Sequence, residues 1–293
     1  MSTFYHENEI QFVEAIRETA KNSGFSESLI EKDYYCSLIL KEIFRSKDCF
    51  LIFKGGTLLN KCHVGFYRLS EDLDFSVSDP AKFSRKKRSY LAQVSKKCVN
   101  ETVKNLSLVF SRSFEGHNES RLYSAEIGYH SLIDEDKKTI KVEFGIHEKV
   151  WERETLKAKT LLTNPISQKP VLPDFHLVGL SLKEAYSEKI RAALSREKPA
   201  IRDIFDIHYA LKRRLIEEPH GFIKIHDIAP MVKYKMKILN READLSAERK
   251  KELLDQLQTD LKPVLRQKDF EEFDFEQAWN WLKILEKEIA KSL

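Results

Sequence analysis

A short apolar run that ends at two glycines constrains the fold of this chain most strongly. The run covers residues 49–53 and is followed by Lys-Gly-Gly at 54–56, after which a helix is predicted to begin near Thr57. Further on, residues 72–77 read Asp-Leu-Asp-Phe-Ser-Val, and this alternation predicts a strand with both aspartates on one face. The pattern therefore predicts a buried strand, a helix and an acidic strand in succession.

The remaining periodicity divides the chain into a mixed half and a helical half. In the first half, helices are predicted at 8–22, 27–45 and 84–105, and strands at 106–114, 121–131 and 139–145. Beyond residue 178, the predicted elements are all helical: 178–195, 199–215, 226–239, 247–265 and 275–291. The prediction is an α+β protein, with N-terminal helices and a small mixed sheet in residues 1–163. A proline-containing linker at 164–173 leads to an all-helical domain at 174–293.

Three carboxylates on two predicted strands are candidates for metal binding. Asp72 and Asp74 project from the same face, where two like charges repel each other unless a cation lies between them. Glu143 faces away from the apolar side of its own strand. Carboxylate oxygens suit Mg²⁺ or Mn²⁺, and two such ions about 3.5–4 Å apart could catalyse phosphoryl chemistry. Each acid alone also fits a solvated strand face.

The diglycine turn is a candidate phosphate site. A junction between a buried strand and a helix points backbone N–H groups outward, and Gly55 and Gly56 would let a phosphate approach closely, beside Thr57. Arg68 and Ser70, just before the acidic pair, are candidates for contacting phosphate or for orienting the acids. An ordinary tight turn is the alternative, but its combination with a paired acidic strand favours a nucleotide site.

These residues also carry a family resemblance. The segments 54–61 (Lys-Gly-Gly-Thr-Leu-Leu-Asn-Lys) and 68–75 (Arg-Leu-Ser-Glu-Asp-Leu-Asp-Phe) closely resemble the AbiEii/AbiGii-type toxins. These toxins have the fold of the DNA polymerase beta-like nucleotidyltransferase superfamily, and the MenT-type toxins are relatives. Residues 30–35, 188–193 and 202–206 resemble further motifs of the family. The resemblance implies a metal-dependent enzyme that uses an NTP and acts as the toxin of a toxin–antitoxin system.

The resemblance also implies roles for individual residues of the first half. Gly56 and Thr57 would bind the triphosphate, and Asp72 and Asp74 would bind metal. Glu143 fits the third acidic position of the wider superfamily. A cognate antitoxin protein is a further expectation from the family.

In the second half, the resemblance assigns Lys189 to nucleotide phosphates and Asp203 to a second essential acid. Lys189 and Arg191 lie on one predicted helix, and a lysine is a suitable point charge for a phosphate. Asp203 and Asp206 share a surface of the next helix, so they could equally form a structural ion-pair network that orients Lys189 or Arg191.

Positive charge is concentrated in two stretches, although the net charge is only +4. The first stretch contains Lys82, Arg85, Lys86, Lys87, Arg88, Lys96, Lys97 and Lys104. The second contains Lys183, Lys189, Arg191, Arg196, Lys198, Arg202, Lys212, Arg213 and Arg214. Such stretches can follow a nucleic-acid backbone, with Tyr90 available for stacking, or they can be solvated helix faces. RNA is the expected acceptor, and the use of tRNA by the relatives makes that choice stronger.

Other classes of protein are disfavoured. The four cysteines are scattered without a C-x-x-C pair, which argues against structural zinc and for reduced thiols. The chain has no signal-peptide pattern at its start and no apolar stretch long enough to span a bilayer, so we expect a cytoplasmic protein without a membrane partner. P-loop, G-x-G-x-x-G and G-x-S-x-G motifs are absent.

The sequence therefore predicts a nucleotidyltransferase that transfers an NMP from an NTP to an acceptor hydroxyl, with RNA or tRNA as the expected acceptor. Two alternatives stay open at this point. One is an enzyme that modifies a small molecule such as an antibiotic, and the other is a non-catalytic member that only binds nucleotide or RNA.

Overall fold

The computed structural model describes residues 4–46, 49–77, 84–117, 121–146, 149–216 and 223–292. The chain forms two compact units, Met1–Leu180 and Ser181–Leu293. The first contains the strands and the N-terminal helices, whereas the second is helical. This arrangement confirms the predicted α+β class.

The first unit is built on a seven-stranded mixed sheet in the order β3-β4-β5-β2-β1-β7-β6. The strands are β1 (Leu51–Lys54), β2 (Leu73–Val77), β3 (Val109–His117), β4 (Leu122–His130), β5 (Lys137–Gly145), β6 (Arg153–Ala158) and β7 (Phe175–Leu180). β2 runs parallel to β5 and β1 runs parallel to β7, while the other neighbours are antiparallel. The apolar residues of β1 and β2 are fully buried, as a central strand requires.

The helices of the first unit begin within two residues of their predicted positions, and the three long ones also end within two residues of theirs. They are α1 (Glu9–Ser23), α2 (Glu27–Ile43), α3 (Gly55–Leu58) and α4 (Arg85–Asn105), with a 3₁₀ turn at Tyr5–Glu7 and a π-helical segment at Leu59–His63. α1 starts where the Asn8 side chain accepts a hydrogen bond from the backbone of Gln11, and it ends at the left-handed Gly24. α3 begins at Gly55, two residues before the predicted start.

The segment predicted as an interdomain linker, 164–173, connects two paired strands. β6 and β7 form an antiparallel pair on either side of it, and a bridge joins Thr163, the residue directly before it, to Pro170. The two compact units divide after Leu180. Prolines indicate a loop whether it joins two domains or two strands, and only the strand pairing shows that this loop returns to the same sheet.

The second unit consists of helices packed around an apolar core. They are α5 (Leu182–Ser195), α6 (Ile201–Lys212), α7 (Ile225–Ile238), α8 (Ala247–Asp255), α9 (Gln267–Glu271) and α10 (Phe275–Lys291), with a π segment at Leu257–Leu261 and a 3₁₀ turn at Lys262–Val264. α10 buries Phe275, Trp279, Leu282 and Leu285 along one face. This spacing is that of an amphipathic helix on a core.

Candidate active site

The register of the sheet brings two of the three predicted acids side by side. Asp74 on β2 lies opposite Glu143 on the parallel strand β5 and opposite Lys54 on β1. Neighbouring strands are about 4.8 Å apart, so the backbones of Asp74 and Glu143 are adjacent. Asp72 directly precedes β2, and both aspartates are half-buried. The predicted convergence of the acidic strands is therefore present in the backbone.

The diglycine turn lies directly against this acidic strand. Gly55 has a φ of +81°, in the left-handed region that favours glycine, and a Cβ atom there would lie 2.5 Å from Oδ2 of Asp74. A side chain at Gly55 is thus excluded both by the backbone conformation and by the Asp74 carboxylate. Gly55 starts α3, where the first backbone N–H groups have no acceptor within the helix.

The residues after Gly55 connect the turn to the segment that leads into the acids. A Cβ atom at Gly56 would lie 2.5 Å from a guanidinium nitrogen of Arg68 and 2.9 Å from Oγ of Ser70. Oγ1 of Thr57 donates a 2.6 Å hydrogen bond to the backbone carbonyl of Asp72. Arg68 is only 2% exposed. Arg68 and Ser70 therefore pack against the turn, and Thr57 holds the first acidic residue through its backbone.

Glu143 has a cationic partner that the sequence analysis did not consider. Nζ of Lys141, two residues earlier on the same face of β5, lies 2.7 Å from Oε2 of Glu143. Partial burial lowers the pKa of Lys141, but the hydrogen bond to Glu143 and the charges of Glu143, Asp72 and Asp74 raise the pKa above its usual value. Lys141 thus interacts with all three acids, and its i, i+2 spacing from Glu143 could have indicated this.

The donor chemistry of this site suits a hard divalent cation. Within the described parts of the chain, no three His, Cys, Asp or Glu side chains come close enough together to hold a metal by themselves. Mg²⁺, however, is commonly bound by one or two carboxylates together with substrate phosphates and water. Asp72 and Asp74 beside a glycine turn fit that mode, whereas Glu143 is paired with Lys141.

Two of the predicted residues of the second unit, Lys189 and Asp203, form an ion-pair network with Asp206 and Arg196. Nζ of Lys189 lies 2.7 Å from Oδ1 of Asp203 and 2.8 Å from Oδ2 of Asp206, and Arg196 lies 3.2 Å from the other Asp203 oxygen. Burial raises the pKa of Asp203, but the charges of Lys189 and Arg196 and the hydrogen bond from Lys189 lower the pKa below its usual value. Arg191 is half-buried, and its Nε has no hydrogen-bond partner among the described residues. The network matches the structural alternative for Asp203 and Asp206.

The first basic stretch is exposed at the start of α4. Residues 85–87 are exposed, and Tyr90 is 56% exposed. Further along α4, Lys96 lies over the ring of Tyr123 at 4.3 Å and Lys97 pairs with Glu101 at 3.8 Å. Lys82 lies outside the described residues. In the second stretch, residues 212–214 at the end of α6 are exposed.

Two solved structures from Helicobacter pylori resemble this fold. JHP933 is 17% identical with a TM-score of 0.53, over 91% of this chain and 94% of its own. A proposed nucleotidyltransferase from H. pylori is 18% identical with a TM-score of 0.52, over 91% of this chain and 96% of its own. At these identities the likeness concerns the fold alone. A search of curated proteins found no match.

Residues 38–287 match the sequence model of a family described as "Nucleotidyl transferase AbiEii toxin, Type IV TA system". The protein is thus a nucleotidyltransferase. Within that class it belongs to the AbiEii toxins of type IV toxin–antitoxin systems, which confirms the resemblance seen in residues 54–61 and 68–75. The family implies an NTP substrate and an antitoxin partner. In the described part of the chain, each helix is too short or too polar to cross a membrane.

Proposed function

We propose that this toxin transfers an NMP from an NTP to an acceptor hydroxyl, with Mg²⁺ or Mn²⁺ held by Asp72 and Asp74. The observation that carries the proposal is the close approach of Gly55 to the Asp74 carboxylate, which brings the diglycine turn against the acidic strand. Glu143, in register with Asp74, is the proposed third ligand, and it would exchange its ion pair with Lys141 for the cation.

In this proposal, the acceptor oxygen forms a bond to the α-phosphorus of the NTP and loses its proton to solvent, while the bond to the pyrophosphate oxygen breaks. A bound divalent cation would activate the attacking oxygen and neutralise charge on the leaving group. The N–H groups of Gly55, Gly56 and Thr57 would hold the phosphates. Arg68 and Ser70, packed against Gly56, fix the shape of the turn. Catalysis then rests on positioning and charge neutralisation.

Lys189 and Arg191 are the proposed phosphate contacts of the second unit. Asp203 and Asp206 hold the Lys189 ammonium at 2.7 and 2.8 Å, so they would fix its position instead of reacting with substrate. Under this proposal, loss of Asp203 lowers activity because Lys189 loses one of its two carboxylate partners.

RNA, and tRNA in particular, is the proposed acceptor class. Exposed cations at the start of α4, next to an exposed Tyr90, provide both phosphate contacts and a stacking surface. A small-molecule acceptor would not need such a surface, and it is the second candidate.

The test is incubation of the protein with each of the four α-labelled NTPs, total RNA and Mg²⁺ or Mn²⁺. We expect label on RNA with wild type, and a rate at least about a hundredfold lower with Asp72→Ala or Asp74→Ala. Asp136→Ala is the matched control, because Asp136 directly precedes β5 and is a 53% exposed carboxylate that pairs with Lys138 of that strand. This control should retain wild-type activity.

The same experiment separates the alternatives. Label transferred to an added small-molecule acceptor, with none on RNA, would indicate the antibiotic-type enzyme, and no metal-dependent pyrophosphate release with any NTP would indicate a non-catalytic member. In cells, growth arrest on expression should disappear with Asp72→Ala and Asp74→Ala. Persistent arrest with both variants would show that the toxicity does not come from this site.

A further inference from the structure

Helix α2 contacts the segment that leads into the acidic strand. Nζ of Lys32 forms a 2.6 Å ion pair with Oε2 of Glu71, the residue directly before Asp72. One turn further along α2, the thiol of Cys36 points at the backbone carbonyl of Glu71, at 3.9 Å. Both the side chain and the backbone of Glu71 are therefore held from α2.

The same helix also contacts the element that follows the diglycine turn. Lys61, in the π-helical segment after α3, places its ammonium 2.6 Å from Oδ1 of Asp33 and 2.7 Å from Oγ of Ser37. The Lys61 side chain is fully buried and that of Asp33 is 3% exposed. Adjacent residues of α2, Lys32 and Asp33, thus hold the two sequence segments that form the candidate site.

A third contact joins these two segments to each other. Thr57 of the turn donates its hydroxyl proton to the carbonyl of Asp72 at 2.6 Å. The turn, the acidic segment and α2 are therefore linked pairwise. The four side chains of the two ion pairs, Lys32, Glu71, Asp33 and Lys61, all lie outside the proposed set of metal and phosphate ligands.

We propose that α2 is a positioning element for catalysis, in which the Lys32–Glu71 pair sets the place of Asp72 relative to the diglycine turn. This inference rests on the proposed function of Asp72. It gives a role to the segment at 31–35, which the proposed chemistry does not otherwise use.

The effect of losing this pair on the reaction rate, compared with its effect on stability, distinguishes a positioning role from a merely structural one. The Lys32 and Glu71 side chains are 20% and 32% exposed, and an ion pair that still contacts solvent contributes little to stability. A displacement of about 1 Å in a reacting group, in contrast, can lower the rate about a hundredfold. Loss of the Lys32–Glu71 pair should therefore reduce activity much more than stability. The Asp33–Lys61 pair cannot be tested in this way, because it is buried and its loss should lower stability as well as activity.

The test compares Lys32→Glu, Glu71→Lys and the double variant that exchanges the two charges. The assay measures the initial rate of label transfer over a range of NTP concentrations, together with the melting temperature. Each single variant should lower kcat about 10- to 100-fold, change the KM for NTP less than about threefold and lower the melting temperature only slightly, through the repulsion of the two like charges that it brings together. The exchanged pair should restore kcat to within about threefold of wild type, because the contact is re-formed.

A matched control is the ion pair between Arg17 and Glu27, which also involves α2 but not the candidate site. Its atoms are 3.9 Å apart and its side chains are 69% and 41% exposed, so Arg17→Glu should retain wild-type kcat. Wild-type kcat in Lys32→Glu, or a folded charge-exchanged variant as inactive as the single variants, would overturn the positioning role.

Asp72→Ala, assayed in parallel, distinguishes this failure from failure of the proposed function. An inactive Asp72→Ala beside a fully active Lys32→Glu refutes only the positioning role. An Asp72→Ala variant that transfers label and arrests growth like wild type refutes the proposed function, and the positioning role with it.

Discussion

Replacing Lys61 by methionine is expected to destabilise the region around α2 strongly. The Lys61 side chain is fully buried, and its ammonium donates to Oδ1 of Asp33 at 2.6 Å, to Oγ of Ser37 at 2.7 Å and to the backbone carbonyl of Asp33 at 3.4 Å. Methionine has a similar length and keeps the apolar packing, so the substitution mainly removes the charge.

The expected loss of stability follows from the buried carboxylate that the substitution leaves without a counter-charge. The Asp33 carboxylate stays buried without its counter-charge, and among the described residues its Oδ2 already has no hydrogen-bond partner. Removing one partner of a buried ion pair costs about 3–5 kcal/mol. At about 1.4 kcal/mol for each factor of ten, amides protected by this region should exchange at least about a hundredfold faster.

Hydrogen–deuterium exchange read by mass spectrometry is the suitable assay, because it reports local opening without assuming that the two units unfold together. Peptides from α2 and from 51–64 should show the faster exchange in Lys61→Met. Adding Asp33→Leu should recover most of the loss, since an apolar pair carries no buried charge. Lys97→Met is the control, because the Lys97 side chain is 75% exposed. Exchange within about threefold of wild type in Lys61→Met would refute the reasoning.

Three further predictions concern the turn, the thiols and acid stability. Gly55→Ala should lower the rate of label transfer about a hundredfold, whereas Gly65→Ala should not, because Gly65 has a similar φ of +89° but no atoms within 4 Å of an added Cβ. Iodoacetamide at pH 8 should alkylate Cys49 first and leave Cys36 unlabelled, with the sites read by peptide mass spectrometry. A hydrogen bond from a neighbouring thiol lowers the pKa of Cys49 against the effect of burial, whereas burial raises the pKa of Cys36 to about 12. The pKa of Asp203 is lower in the folded protein than its value of about 3.9 in the unfolded chain. The ionised carboxylate therefore stabilises the fold above about pH 3.9, and this stabilisation is lost as the pH falls through the folded pKa. The difference in urea midpoint between wild type and Asp203→Asn should therefore shrink below about pH 4.

Sequence periodicity did not predict two strands, β6 and β7, because neither shows a clear alternation of apolar and polar residues that is separate from its surroundings. β6, read as Arg-Glu-Thr-Leu-Lys-Ala, is largely exposed at the edge of the sheet, so it lacks a clear apolar alternation. β7 leads into α5 through Ser181 alone, and its last three residues, 178–180, fall within the predicted helix at 178–195. The pairing of β6 with β7 is a non-local fact, and local periodicity does not contain it.

The candidate site likewise combines features that local sequence patterns predict with contacts that depend on the tertiary fold. The diglycine turn and the acidic strand were predictable because each is a local pattern, and the strand register confirmed that Asp74 and Glu143 are neighbours. The ion pairs that hold these segments were not predictable. Lys32 and Glu71 are 39 residues apart, and Asp33 and Lys61 are 28 apart, so no spacing rule connects them before the fold is known.

Lys141 explains how the acidic strands can be stable before a metal binds. Adjacent carboxylates repel each other, and this repulsion was the reason for expecting a cation between them. Lys141 supplies a positive charge from within the chain, 2.7 Å from Glu143 and close enough to Asp72 and Asp74 to be affected by both. Lys141 therefore offsets part of the repulsion between the carboxylates of this sheet. A divalent cation that arrives with the triphosphate would compete with the lysine for Glu143, which couples metal binding to substrate binding in the proposed reaction.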